Sequence, residues 1–234
     1  MRTVLTAAAM LATAGIAAAD TVDLRYFGPG AGASFDVVAN GNSTNVFAGQ
    51  LNFLADNGTG AGSLLNGTLM TYCIDVLEPV GGGRNTYNLD ALEDSPVTAG
   101  SVSPAMGVDK AEAIARMYTF AAGSQFGSDS DVAAAFQLAV WEVIADFGGD
   151  DPMSLTTGDF RVTSTVNSGT QTFLTSLLDA AGDGSISIFQ GLGALTNEGL
   201  QDQIFEVVIP LPGAAGMAAV GLAGVGLVAR RRRS

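Results

Sequence analysis

Cys73 is the only thiol in a chain of 234 residues that contains no histidine at all. Histidine is the commonest general base and the usual activator of serine and cysteine nucleophiles, so those catalytic pairings are absent, as are most zinc sites. No convergent acid/base pair stands out in the sequence either, and the composition disfavours an enzyme. Gln137 is the second residue of chemical interest. It lies in the run Val132 to Val143, whose only polar members are Gln137 and Glu142, and it is followed four residues later by Trp141. A buried primary amide without partners costs roughly 1–3 kcal/mol, so this glutamine needs a specific partner or a specific task. Read by themselves, Cys73 is a small buried hydrophobe with an inert thiol, and Gln137 is a helix residue bonded to a neighbouring loop. Alternation along the cysteine strand places Met70, Tyr72, Ile74 and Val76 on one side and Leu69, Thr71, Cys73 and Asp75 on the other. The expectation is that Cys73 faces away from the more apolar side.

Two motifs stand in order along the chain: Tyr72-Cys73-Ile74-Asp75, and Ala135-Phe136-Gln137-Leu138-Ala139-Val140-Trp141-Glu142. Together they resemble the thioester domains of bacterial surface adhesins, in which an aromatic-Cys-aliphatic strand and a helical Gln motif supply the two ends of an internal thioester. The helix sequence Ala111 to Tyr118 is similar to the one those domains carry before the Gln motif. The resemblance covers roughly residues 68 to 147. It implies that the Cys73 thiolate attacks the Gln137 side-chain amide, that ammonia leaves, and that the acyl group passes once to an amine of a partner, a lysine of a surface protein or matrix polymer. It also implies that the 131–147 helix lies across the cysteine strand. Tyr72, Asp75 and Trp141 are its candidates for shielding or orienting the bond, against the plainer expectation that Asp75 is solvated and Trp141 anchors the core.

The elements that must position these residues change character halfway along the chain. Up to Glu78 the sequence is rich in β-formers broken by Gly28-Pro29-Gly30, Asn40-Gly41, Asn57-Gly58 and Asn66-Gly67, which predicts antiparallel strands near 21–27, 33–39, 44–55 and 68–77. Asn42, Asn57 and Asn66 begin Asn-x-Ser/Thr sequences and read as turn chemistry. Residues 78 to 104 read as loop. Asp109 as N-cap with Glu112 after it predicts a helix over 111–122; a second is expected from about 131 to 147 and a third over 171–181. Short strands are expected at 159–166, 186–190 and 203–209. The fold class is α+β: a β-sandwich or open β-barrel with a helical insertion at about 109–147. The Gly-rich turns form no phosphate loop, and no cofactor is implied.

The ends carry different signals. Residues 1–19 hold Arg2, an apolar stretch from Val4 to Ile16, and Ala17-Ala18-Ala19, the pattern of a signal peptide cleaved before Asp20. At the other end, residues 207–234 contain Pro210-Leu211-Pro212, an uncharged span from Gly213 to Ala229, and Arg230, Arg231, Arg232 and Arg233. Seventeen apolar residues before a basic cluster predict a transmembrane helix with its arginines cytoplasmic. The order of parts resembles a PEP-CTERM sorting signal, which implies processing by an exosortase-like transpeptidase. A plain tail anchor is the other reading.

Between these signals, residues 20–206 form one globular domain with five basic residues against 23 acids, a net charge near −18. That charge repels nucleic acid and anionic lipid. Asp129-Ser130-Asp131 and Asp150-Asp151 lack the spacing of a dedicated calcium loop, so no metal is assigned. A lone cysteine is unusual in an exported domain, where oxidising conditions favour pairs; it must be buried, intermolecular or chemically used. The sequence therefore points to an exported cell-surface protein that attaches covalently through Cys73 and Gln137. The alternative is a non-reactive envelope or extracellular-matrix protein associated with exopolysaccharide.

Overall fold

The computed structural model describes residues 20–97, 104–122, 128–149 and 153–207. The expected signal peptide at 1–19 lies outside them, as do the Pro210-Leu211-Pro212 motif, the apolar span and Arg230 to Arg233. Among the described residues no helix is long and apolar enough to cross a membrane.

The chain begins with a long hairpin, β1 (Thr21–Ala39) and β2 (Asn42–Asp56). Asn40 at φ 49° and Gly41 at φ 80° form its turn, the left-handed pair that Asn-Gly accommodates and that matches strand twist. The two strands expected at 21–27 and 33–39 are one strand, bent by register shifts between Tyr26 and Gly32 rather than interrupted. At the bend Gly32 and Gly49 face each other so closely that a Cβ on Gly32 would stand 2.4 Å from the Ala48 carbonyl oxygen.

The remaining strands are β3 (Gly67–Cys73), β4 (Arg84–Ala91), β5 (Phe160–Val162), β6 (Leu192–Asn197) and β7 (Leu200–Glu206). Their antiparallel pairings run β2–β3–β7–β6–β4–β1, and β1 pairs again with β2, so six strands form a closed circuit. The long β1 makes this closure: on one edge it carries β2, and on the other β4 at Thr21–Arg25 and β5 at Val37–Ala39. The sheet expected as a sandwich or open barrel is thus a single sheet closed on itself, within the α+β class.

The described residues include three α-helices, α1 (Val108–Ala121), α2 (Ser130–Asp146) and α3 (Ser168–Gly182), of which α2 lies on the sheet. α2 packs against β1 and β2 on one side and against α1 and α3 on the others. Every residue from Val132 to Ile144 is buried, as a helix apolar on all faces requires. Asp129 caps it by accepting from the backbone N–H groups of Asp131 and Val132. Asp131 in turn accepts from Asn167 Nδ2 at 2.8 Å and Thr170 Oγ1 at 2.9 Å, fastening the start of α3 to the start of α2.

Several boundaries differ from expectation. β4 falls inside the stretch read as loop, where Tyr87 is the only fully buried side chain of a polar strand. The strand expected at 186–190 is irregular; β6 begins at Leu192, and β7 begins three residues before the predicted 203. α1 is capped by Gly107 rather than Asp109, which stands in its first turn. β3 stops at Cys73, not at 77.

Candidate functional site

Cys73 is the last residue of β3, and its backbone has a free side. On one edge β3 pairs with β7, through Tyr72 opposite Ile204 and an Ile74 N–H donated to the Asp202 carbonyl at 2.8 Å. On the other edge its pairing with β2 ends at Thr71 opposite Leu51, two residues before Cys73. Gln137 from α2 fills that vacancy. Its Oε1 accepts the Cys73 N–H at 2.8 Å and its Nε2 donates to the Cys73 carbonyl at 2.8 Å. The carboxamide therefore continues the ladder as a peptide group of β2 would, exchanging both bonds with a single residue. Gln137 is fully buried and Cys73 nearly so. The amide carbon, which lies between those two side-chain atoms, is held beside the residue that bears the thiol.

The Cys73 thiol donates to the Asp75 carbonyl at 3.0 Å. Burial pushes its pKa well up, and the charge of Asp75 adds to this, whereas the Trp141 indole N–H works in the opposite direction. With the Gln137 amide intact, the sulfur is a neutral thiol buried away from water.

The side of β3 that carries Thr71, Cys73 and Asp75 is polar, as expected, and it is buried; on the other side Tyr72 and Ile74 are buried too, while Met70 is 54% exposed. The buried polar side belongs to a polar layer built with β7. Thr71 Oγ1 donates to Gln203 Oε1 at 2.7 Å, Gln203 Nε2 to the Gln201 carbonyl at 2.9 Å, and Gln201 Nε2 to the Asp75 carbonyl at 3.0 Å. Asp75 itself is buried rather than solvated. Its Oδ2 accepts the Asp202 N–H at 3.1 Å, and its Oδ1 has no partner among the described residues. Burial, opposed by that backbone bond and helped by Glu78, raises the Asp75 carboxyl to about 7; burial above all raises Asp202 to about 8. Gln201, Asp202 and Gln203 were not singled out by sequence, although three consecutive polar residues leading into Ile204-Phe205 were a visible oddity.

Tyr72 and Trp141 close the site from two directions. Tyr72 meets Phe136 edge-on, with ring centroids 4.8 Å apart, so the residue before Gln137 covers the residue before Cys73. Trp141, one helical turn beyond Gln137, meets Phe160 of β5 at a 55° tilt with ring centroids 5.8 Å apart, and is 3% exposed. Its Nε1–H has no hydrogen-bond partner among the described residues. Glu142, the other polar residue of the run Val132 to Val143, is fully buried but belongs elsewhere. Its Oε1 accepts the Ser154 N–H at 2.5 Å, its Oε2 has no partner among the described residues, and burial raises it to about 7.

Among the described residues no group of Cys, Asp and Glu side chains is arranged to hold a metal ion. Asp129 and Asp131 serve as cap and helix tie; Asp150 and Asp151 lie outside the described residues. A thiol and a carboxamide in such proximity can condense: the sulfur adds to the amide carbon, the C–N bond breaks, and ammonia leaves carrying the thiol proton.

No protein-family model matches the chain, and no curated protein matches it. Among solved structures, the N-terminal thioester domain of a surface protein from Clostridium perfringens is similar over 79% of this chain and 97% of that one, with a TM-score of 0.41 and 11% identity.

Proposed function

We propose that Cys73 and Gln137 form an internal thioester, and that the protein is an exported surface protein which uses it once to attach covalently to an amine-bearing partner. The observation that carries this reading is the pair of 2.8 Å hydrogen bonds between the Gln137 carboxamide and the Cys73 backbone, made by the only cysteine of the chain. A glutamine required only to satisfy a buried amide has no need to find that residue among all the strand positions available. When an amine of the partner takes the acyl group, a C–N bond forms, the C–S bond breaks, and the amine's proton ends on the Cys73 sulfur. Gln137 is then joined to the partner by an isopeptide bond. Export by the signal peptide and processing of the C-terminal tail by an exosortase-like enzyme would deliver the domain to the cell surface or the extracellular matrix.

One observation favours the alternative of a non-reactive envelope or matrix protein: the Cys73 thiol is held neutral by burial and neighbouring acids. Mass separates the two. With termini fixed by peptide mapping, the purified protein is expected about 17 Da below its sequence mass, with no titratable thiol on brief unfolding, since ammonia has been lost. Methylamine should then add about 31 Da and release one thiol. Cys73→Ala should abolish both signals. Full sequence mass, one thiol on denaturation and no reaction with methylamine, in protein from the native envelope, would leave the non-reactive reading standing.

A further inference from the structure

Trp141 stands one helical turn from Gln137 and also lines an open space. A cavity of about 210 Å³ lies between the end of β1, the segment after β3, β5 and α2. Its depth is apolar and buried, formed by Ile74, Trp141 and Phe160; exposed Asn40 and Asp159 stand among its lining residues. Lys110 also lines it, with its ammonium donated to the Ile144 carbonyl. Ile74 and Trp141 are also neighbours of the two reacting residues, Ile74 following Cys73 in the chain and Trp141 standing one turn from Gln137. Trp141 therefore belongs both to the wall of the cavity and to the helical turn that follows Gln137.

The indole N–H is the second unusual feature. A buried donor without a partner costs about 1–3 kcal/mol, and a site that tolerates it is explained if an acceptor appears there during function. The Trp141 indole N–H counters the upward push that burial exerts on the Cys73 thiol, yet while the Gln137 amide is intact it has no hydrogen-bond partner among the described residues, and the thiol proton points to the Asp75 carbonyl. When an acyl group leaves sulfur, negative charge develops on an atom that has just lost a covalent bond and sits among Asp75 and Asp202. Preorganised donors aimed at such a charge are effective in a site closed to water.

We propose that Trp141 acts directly in the acyl transfer: its indole N–H is reserved for the charge that appears on the Cys73 sulfur as the C–S bond breaks, and its ring closes the inner end of the cavity through which a primary alkyl amine arrives. The inference rests on the thioester reading. In the transfer the amine nitrogen bonds to the Gln137 acyl carbon, the sulfur departs as thiolate toward the indole N–H, and a proton from the amine then neutralises it. The apolar depth of the cavity admits the alkyl stem of a lysine and favours the uncharged, nucleophilic amine over the ammonium.

Two variants of the purified protein test this. Trp141→Phe keeps an aromatic ring and removes the donor. It should form the thioester, seen by mass, but release its thiol to methylamine about tenfold more slowly than wild type, the loss expected for one hydrogen bond to a charged group. After methylamine treatment the freed Cys73 thiol should ionise at higher pH in this variant. Trp141→Ala opens the wall and should lose the bond to water, shown by a mass about 1 Da above sequence as Gln137 becomes a glutamate. Equal methylamine rates and equal thiol ionisation in wild type and Trp141→Phe would overturn the donor role, and an intact thioester in Trp141→Ala would overturn the shielding role. Both results presuppose a wild-type protein that carries the bond. A wild type at full sequence mass overturns the proposal together with the reading beneath it.

Discussion

At the residue scale, the two ends of the candidate bond are unequal. Cys73 contributes a small side chain and one weak S–H donor, whereas Gln137 satisfies both backbone groups of Cys73. Replacing Gln137 by Ala leaves a buried N–H and a buried carbonyl unpaired, a loss of roughly 2–4 kcal/mol. Cys73→Ala leaves the Gln137 bonds to the backbone intact and should cost about 1 kcal/mol. Urea denaturation of the two variants should rank them in that order, and a Gln137→Ala protein as stable as Cys73→Ala would show that the carboxamide ladder contributes nothing. The oddity of each residue was legible in sequence: a lone cysteine, and a glutamine stranded in an apolar run. Their pairing was not, because nothing local to either motif states which strand a helix will cross. That expectation came from the resemblance. The polar layer of Thr71, Gln201 and Gln203 was illegible for a related reason, since the face on which a strand meets the interior depends on how the sheet closes.

At the element scale, sequence was most informative where a local signal has a local cause. The Asn40-Gly41 turn and the two main helices appear close to where left-handed residues, caps and apolar runs place them. β4 was missed because Arg84-Asn85-Thr86-Tyr87-Asn88 buries only Tyr87 deeply; its strand state comes from pairing with β1 and β6, not from its own pattern. Ile186-Ser187-Ile188-Phe189 alternates as a strand should, yet Phe189 is committed to Tyr118 with centroids 4.8 Å apart and the segment stays irregular. The position of Gln137 depends on α2, and α2 begins at one aspartate. Asp129→Ala removes the acceptor for the Asp131 and Val132 N–H groups and should lower stability by about 1 kcal/mol, as loss of an N-cap does. Asp129→Asn should restore most of it. A thermal melt that does not distinguish the three proteins would mean that tertiary packing alone fixes the start of the helix.

At the scale of the whole molecule, the acidic composition and the buried carboxyls act in the same direction on pH. Asp75 and Glu142 are held near 7 and Asp202 near 8, each chiefly by burial, against unfolded values close to 4. A carboxyl whose pKa is raised by folding binds its proton more tightly in the folded state. Its contribution is therefore complete below the unfolded value and is lost as pH rises through the folded one. Stability should fall between about pH 4 and pH 8, by the order of 1–3 kcal/mol for each such group. At the acid end Asp23, lowered by hydrogen bonds from Thr86 and Asn57, works the other way and sets a floor below its ordinary range. The net charge near −18 between the expected signals also disfavours the compact state as carboxylates ionise, but that repulsion is long-ranged and salt screens it. Urea midpoints at pH 5 and pH 8.5, each at low and at 0.5 M salt (roughly a 4 Å screening length), separate the two contributions. The expected result is a higher midpoint at pH 5 under both conditions, with a smaller difference at high salt that does not vanish. Glu142→Gln keeps the bond from Ser154 and removes one titrating group, so it should narrow the remaining difference by about 1–2 kcal/mol. A pH dependence abolished by salt, and unchanged in Glu142→Gln, would place the whole effect on the surface and leave the buried acids without a thermodynamic signature.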